Sequence, residues 1–436
     1  MKGWLAVILI VAVGYFSVRP LKLKAGALEK VALGWLVGSG ILTFVLFWVG
    51  ISGVFALFYV VFCLVLLKFI IKSSPLQTAS FTAASSKNGA NDLPLGRFSK
   101  FIPILWILLS IHLFYAIFSV FLLTTQYWDS VHFWHLKARF FMEEGSLGLA
   151  GDPSWILGGV KPHYPLHLPI LKAFICRVAG GWSNAWALGT DVIGFVSFLI
   201  IAYRWLSSFH GRRAATVAVY IAASLPFIGI HLSAGYADLT LALYLAASVI
   251  YWDRWRRGEG KGYFVLSSFL IACAAWTKND AFILYLPIML IATFIVARWK
   301  SAAAYFGISI LFLFPWIVFK ITMGLDYSPN PGNQLLAFHP EAVSLFSDAF
   351  FTYGGFGIFW ILFLPLLFYR PKAGSSFSIW TLSLSFLAVI LALFTFTQAY
   401  EYLENNMTFQ RSLLQVFPLF VVASMARVCD LLAERK

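Results

Sequence analysis

The feature that most constrains this chain is the recurrence of apolar runs of roughly 17–25 residues, the length at which a helix crosses about 30 Å of hydrocarbon. They fall at 3–18, 31–50, 53–71, 101–125, 185–206, 214–232, 235–252, 263–277, 281–298, 303–322, 356–369, 377–397 and 411–428. Inside a bilayer each backbone amide needs a protein partner, and these runs lack the alternation of a barrel, so they must be helices. The expected fold is all-α: a polytopic transmembrane bundle of about 13 spans, with interfacial amphipathic helices in the loops of one face. A chain that is 61% hydrophobic and 11% charged is no soluble domain.

The formal charge of +14 is explained by topology and not by nucleic-acid binding. Segments 19–30, 68–100, 204–213, 253–261, 298–300, 370–372 and the C-terminus hold 23 of the 32 Lys and Arg residues but 6 of the 18 acids. Such a bias marks the cytoplasmic side, which puts the C-terminus inside and, for thirteen spans, the N-terminus outside. The first 16 residues resemble a signal-peptide core behind Lys2, but Arg19, Lys22, Lys24 and Lys30 follow and no small-residue cleavage site does, so an uncleaved span is expected. Cys63, Cys176, Cys273 and Cys429 stand singly among apolar residues, without disulfide or zinc spacing.

Residues 74–100, rich in Ser, Ala, Gly and Asn, read as a flexible cytoplasmic linker. They separate an N-terminal three-helix extension, 1–73, from a ten-span body, 101–436, with outer loops at 126–184, 323–355 and 398–410. A helix is expected at 130–144, a short amphipathic stretch at 165–178 and another helix from about 340. No soluble domain exists to hold chemistry, so loops and helix ends on the outer face must assemble it.

Five short stretches gather the titratable residues. In "YWDSVHFWHLKARFF" (127–141), Asp129 sits where a span emerges, and two readings stand: a helix cap, or a functional acid. Lys137 and Arg139 either snorkel among headgroups or serve a ligand. His132 and His135 are weak candidates for a divalent metal, because they lack the i,i+4 spacing of a zinc helix. In "KPHYPLHLP" (161–169), three prolines force an extended entry into the next helix and present His163 and Tyr164. Asp238 in "GYADLTLALY" lies a turn inside its span, where an ionised acid is expensive. Lys278 and Asp280 form the charged connection "TKNDAF". Arg411 opens the last span, where it opposes the helix dipole and calls for a nearby anion.

All five fall on the outer face of the expected topology, and His112 is the one titratable residue near a span's midpoint. A transporter or flippase for lipid-linked saccharides, the alternative reading, wants polar groups at the midplane. A third reading is a non-catalytic subunit of a polysaccharide assembly complex. Glycosyl transfer from a polyprenyl-phosphate sugar needs what this chain offers. A greasy wall takes the lipid tail, a carboxylate takes the acceptor's proton, and cations stabilise the departing phosphate.

The motifs "YWDSVHFWHLKARFF", "HYPLHLP", "GYADLTLALY", "TKNDAF" and "RSLLQVFPL", in this order, resemble the GT-C superfamily of membrane-embedded glycosyltransferases. The likeness is nearest its bacterial polyprenyl-phosphate-sugar-dependent, protein mannosyltransferase-like branch, and it covers roughly residues 101–428. The resemblance implies an enzyme of the bacterial inner membrane whose active site faces the periplasm or exterior. Asp129 would be the base, with Lys278 and Arg411 near the donor phosphate and Lys137 beside them. His163 and Tyr164 would line the sugar pocket, with Asp238 and Asp280 supporting. No cofactor is required on this reading; the partners are the lipid-linked donor, a glycan, lipid or protein acceptor, and the bilayer. Two features differ from the family pattern: the first loop has a single Asp where many relatives carry an acidic pair, and Asp280 stands where Glu is usual.

Overall fold

The computed structural model describes residues 2–52, 100–122, 127–149, 152–326, 336–351, 355–368, 377–403 and 407–434, with isolated positions at 61, 65 and 68. The expected span at 53–71 and nearly all of the 74–100 linker lie outside the described residues. Fifteen α-helices are described: α1 (Lys2–Val18), α2 (Ala27–Ser52), α3 (Ile102–Leu122), α4 (His135–Glu144), α5 (His167–Ala179), α6 (Asn184–His210), α7 (Arg212–Ser224), α8 (Pro226–Ala234), α9 (Ala237–Arg256), α10 (Lys261–Thr277), α11 (Leu286–Thr322), α12 (Ala342–Phe351), α13 (Phe359–Phe368), α14 (Phe377–Phe396) and α15 (Met407–Glu434). Extended pairing among the described residues is limited to one isolated bridge, Leu336 to Thr397.

Among the described residues seven stretches are long and apolar enough to cross a bilayer, or eight when α7 and α8 count as one bent span. Within the run 214–232 the chain bends by 61° between α7 and α8. Pro226 causes it, by driving the preceding Leu225 into extended backbone (φ −74°, ψ 124°). The runs 281–298 and 303–322 join end to end across a break at Ala297 and Arg298, the latter left-handed at φ 66°.

α9 and α15 form the centre. Each is apolar around its whole circumference and buried along most of its length, as a helix surrounded by other helices must be. Around them α3, α11 and α13 leave large apolar side chains exposed, such as Phe114, Phe121, Ile295, Ile321 and Leu362. Bilayer lipid replaces water for such faces.

The N-terminal pair packs on this body. α1 and α2 cross closely because Gly38 faces the Ile10 carbonyl, where an added Cβ would collide with the oxygen. The inner side of α2 then carries hydroxyls into the bundle. Ser39 Oγ pairs with Tyr244 OH of α9 (2.8 Å), and Thr43 Oγ1 with His167 Nδ1 of α5 (2.8 Å). Trp276 Nε1 of α10 donates to the same Thr43 hydroxyl (3.1 Å).

The C-terminal end of α9 holds a compact ionic cluster. Asp253 accepts from Trp205 Nε1 (3.2 Å), Arg256 Nη2 (2.8 Å) and Arg257. Beside it Glu29 of α2 pairs with Arg254 Nη1 (3.3 Å) and accepts from Tyr251 OH (3.1 Å).

Candidate functional site

The opposite end of α9 carries Asp238, with no exposed surface, at the hub of a second cluster. An unpaired carboxylate there would be prohibitive, and four donor groups compensate it. Lys278 Nζ and Gln415 Nε2 donate to Oδ1, each at 2.9 Å, while Arg411 Nε and Nη2 both reach Oδ2 at 2.8 Å. The guanidinium continues to Asp129, whose Oδ2 accepts from Nη1 at 2.6 Å, and it lies 4.3 Å from the centre of the Tyr236 ring. On the other side Lys278 pairs with Asp280 Oδ2 (2.9 Å), which also accepts from Gln415 Nε2 (2.7 Å). Tyr285 OH completes the chain by donating to Gln415 Oε1 (2.7 Å). Burial lowers the pKa of Lys278, but the carboxylates of Asp238 and Asp280 outweigh that effect and hold its ammonium above the usual range.

The backbone brings these groups together by two irregular turns. Asp129 immediately precedes a π-turn at Ser130–Trp134, and Asp280 another at Ala281–Tyr285. In each, the hydrogen bond spans five residues, as from His135 N to the Ser130 carbonyl and from Leu286 N to the Ala281 carbonyl. Asp129 accepts no side-chain capping bond from the following turn, so the cap reading fails and its described partner is Arg411.

The cluster faces a cavity of about 990 Å³. Asp129, Lys278, Asp280, Arg411 and Gln415 line it together with Tyr164, Asn279 and Lys161. Its apolar wall comes from Phe282 and Ile283 of the second π-turn and Ile390, Leu393 and Phe394 of α14. Ile283 of this wall is 49% exposed. Burial pushes the Tyr164 phenol up to about 12, which keeps it a neutral hydrogen-bonding group beside the cations.

Three expected site residues lie off the cavity lining. Lys137 does not line the cavity; it is buried on α4, and its Nζ donates to the Lys161 carbonyl (2.7 Å). Burial lowers its ammonium to about 7. The His163 ring is likewise absent from the lining, and its carbonyl accepts from Asn279 Nδ2 (3.3 Å) and Lys320 Nζ (3.0 Å). Burial, then Lys137, Lys320 and Lys161, lower the His163 imidazole to about 4. Asp238 lies behind the lining, as the anchor of both cations.

The candidate metal pair is not assembled. His132 stacks on Trp128 (3.7 Å between rings), whereas His135 turns inward, where its Nε2 accepts from Lys172 Nζ (3.2 Å). Burial and then the charges of Lys172 and Arg139 lower the His135 pKa and keep the ring a neutral acceptor. Among the described residues no group of three or more His, Cys, Asp or Glu is arranged to hold a metal ion.

Lys161 and Gln415 were missed in the sequence. Gln415 carries a readable signal, a lone amide four residues after Arg411 in an apolar helix, hence on the same face. Lys161 looks like a turn residue before proline. Its role in the lining depends on a left-handed backbone (φ 51°) that no pattern announces.

Fold and site together define a polytopic helical membrane protein with an acid-and-cation cluster at the head of an apolar-walled cavity. Among solved structures the chain is similar to ArnT from Cupriavidus metallidurans. It matches the crystal structure of the apo state at 12% identity and TM-score 0.53, covering 75% of this chain and 59% of that one. It matches the structure bound to undecaprenyl phosphate at 14% identity and TM-score 0.54, covering 75% and 60%. The chain thus spans about 60% of the length of those proteins. At such identity the likeness is one of fold, and the all-helical membrane architecture expected from the apolar runs is the one observed. No protein-family model and no curated protein matches the sequence.

Proposed function

We propose that this protein is an integral-membrane glycosyltransferase that moves a sugar from a polyprenyl-phosphate donor to an acceptor hydroxyl. The observation that carries the reading is the cavity itself, where the carboxylates Asp129, Asp280 and Asp326 and the cations Lys278, Arg411 and Lys161 meet a wall of Phe282, Ile283, Ile390, Leu393 and Phe394. A ligand with an isoprenoid tail and an anionic head matches both surfaces. The binding of undecaprenyl phosphate by ArnT, which has this fold, supports the match.

In this reading Asp129 accepts the proton of the attacking hydroxyl. The hydroxyl oxygen bonds to the anomeric carbon while the bond from that carbon to the phosphate oxygen breaks. The phosphate leaves as an anion and needs cations but no proton. Asp129, Asp238, Asp280 and the lining Asp326 exceed Lys278 and Arg411 by two formal negative charges. A phosphate entering there needs a further cation. Lys161 meets that need, since it lines the cavity and makes no ion pair among the described residues. Tyr164 borders the sugar. The charge bias of the loops supports a reaction on the periplasmic or exterior side of an inner membrane, in glycan, glycolipid or protein glycosylation.

The test is binding followed by transfer. Purified protein in lipid nanodiscs should bind undecaprenyl phosphate more tightly than undecaprenol, and should release sugar from a polyprenyl-phosphate sugar when an acceptor is supplied. Equal affinity for the phosphate and the alcohol overturns the reading.

A further inference from the structure

Lys137 poses a problem that its neighbours answer. It is 1% exposed, and its one hydrogen bond among the described residues goes to a backbone carbonyl, that of Lys161. A single neutral acceptor repays little of the cost of burying an amine that carries several N–H donors, even where burial favours its neutral form. A methionine of similar length would sit there at lower cost. The group must do something that packing does not.

What it touches is an unusual turn. Leu157 and Lys161 are left-handed at φ 52° and 51°, with Gly158 and Gly159 between them at 77° and 76°. Non-glycine residues rarely hold this conformation unless their surroundings impose it. Here the surroundings are three donors from three elements. Lys137 of α4 packs its stem against Gly158, where an added Cβ would lie 3.2 Å from Lys137 Cγ, and caps the Lys161 carbonyl at 2.7 Å. Asn279, after α10, and Lys320, on α11, both donate to the His163 carbonyl two residues later. The same turn carries Lys161 and Tyr164 into the cavity wall.

We propose that Lys137 is a positioning residue: by capping the Lys161 carbonyl it holds the left-handed turn that aims the Lys161 ammonium at the anionic head of the lipid-linked substrate. The inference rests on the glycosyl-transfer reading and assigns Lys137 an action through the backbone, with no contact to the ligand. Lys320 acts on the same turn through His163.

The experiment measures undecaprenyl phosphate affinity in nanodiscs, and donor KM and kcat, for Lys137→Met, Lys161→Met and the double variant. Lys137→Met is expected to weaken phosphate binding by about 10–100-fold, the scale of a charged hydrogen bond, and to raise donor KM with kcat within about twofold. The double variant is expected to bind no more weakly than Lys161→Met alone, because the two residues act as one unit. Additive losses overturn the proposal, as does unchanged affinity in Lys137→Met beside a loss in Lys161→Met. A fall in kcat and in thermal stability without a change in donor KM also overturns it, by showing a role in folding alone. If Lys137→Met does not fold, Lys320→Met carries the test: a donor-specific loss absent from the Lys161→Met background supports the clamp, and unchanged affinity overturns it. Wild-type protein that does not discriminate undecaprenyl phosphate from undecaprenol sinks the functional reading and this inference with it. A discriminating wild type with an unaffected Lys137→Met sinks the inference alone.

Discussion

The two ends of α9 carry buried ionic clusters of similar composition, about 22 Å apart along the helix axis. At the Asp253 end, Glu29, Asp253 and Glu259 face Arg204, Arg254, Arg256 and Arg257, so the cations outnumber the carboxylates by one. Asp253 is 0% exposed and Arg254 3%. At the Asp238 end the anchor is equally buried, but Asp129 is 23% exposed and Asp280 31%, both on the cavity, with carboxylates outnumbering Lys278 and Arg411. Buried ion pairs alone therefore do not mark function; breaking one is costly wherever it lies. What distinguishes the Asp238 end is a hidden hub whose outer members keep a face free for a ligand.

Substitutions should separate the two ends by what they change. The largest effect is expected for Asp129→Asn, which keeps size and polarity but removes the base. Turnover should fall by roughly 10²–10⁴-fold, while undecaprenyl phosphate still binds and stability falls by less than at Asp253, because the amide oxygen still accepts from Arg411 and the site is partly exposed; near-normal turnover in a folded variant would shift attention to Asp280. At the other end Asp253→Ala removes the buried carboxylate that accepts from Trp205, Arg256 and Arg257. Stability should drop by about 3–5 kcal/mol, with kcat unchanged in the fraction that remains folded. A loss of turnover without a loss of stability there would erase the contrast.

Lys278→Ala sharpens the comparison from within the cavity. Donor KM should rise by roughly 10–100-fold while acceptor KM stays within about twofold; equal changes in both would make Lys278 structural, like the arginines of the far cluster. The smallest effect concerns His163, whose imidazole is held near 4 by burial and neighbouring lysines. Between the unfolded value near 6.5 and 4 the unfolded chain binds the extra proton, so stability should fall as pH drops through that window. His163→Gln should flatten the acid limb of a thermal-stability profile, and an unchanged limb would show that another group governs it.

Much of this was legible in the sequence, for reasons that also explain the gaps. Apolar length reveals helices, and an ionisable residue inside an apolar run advertises a partner. Arg411 at the mouth of the last span implied an anion, and Asp129 lies against it although 282 residues separate the two. The sense of burial was harder. Lys137 reads as a snorkelling cation, yet its ammonium turns inward, because the carbonyl that receives it belongs to a turn made by Leu157, two glycines and Lys161. Pattern reading supplies faces and periods; it does not supply a left-handed non-glycine residue. Gln415 was passed over for a related reason, since a neutral amide in "RSLLQVFPL" resembles a tolerated core residue until its two carboxylate partners are in place.

The paired π-turns have a consequence for chain length. Each holds one residue more than an α-helical turn would close around. Excising a single residue such as Val131 would let the turn relax to α-helix and rotate everything before it by about 100° around the axis, with a shift of about 1.5 Å. Asp129 would swing away from Arg411 although no charged residue had been altered. The two cavity acids next to these turns are thus set by phase as well as identity, and a one-residue deletion there is expected to be as damaging as removing the carboxylate.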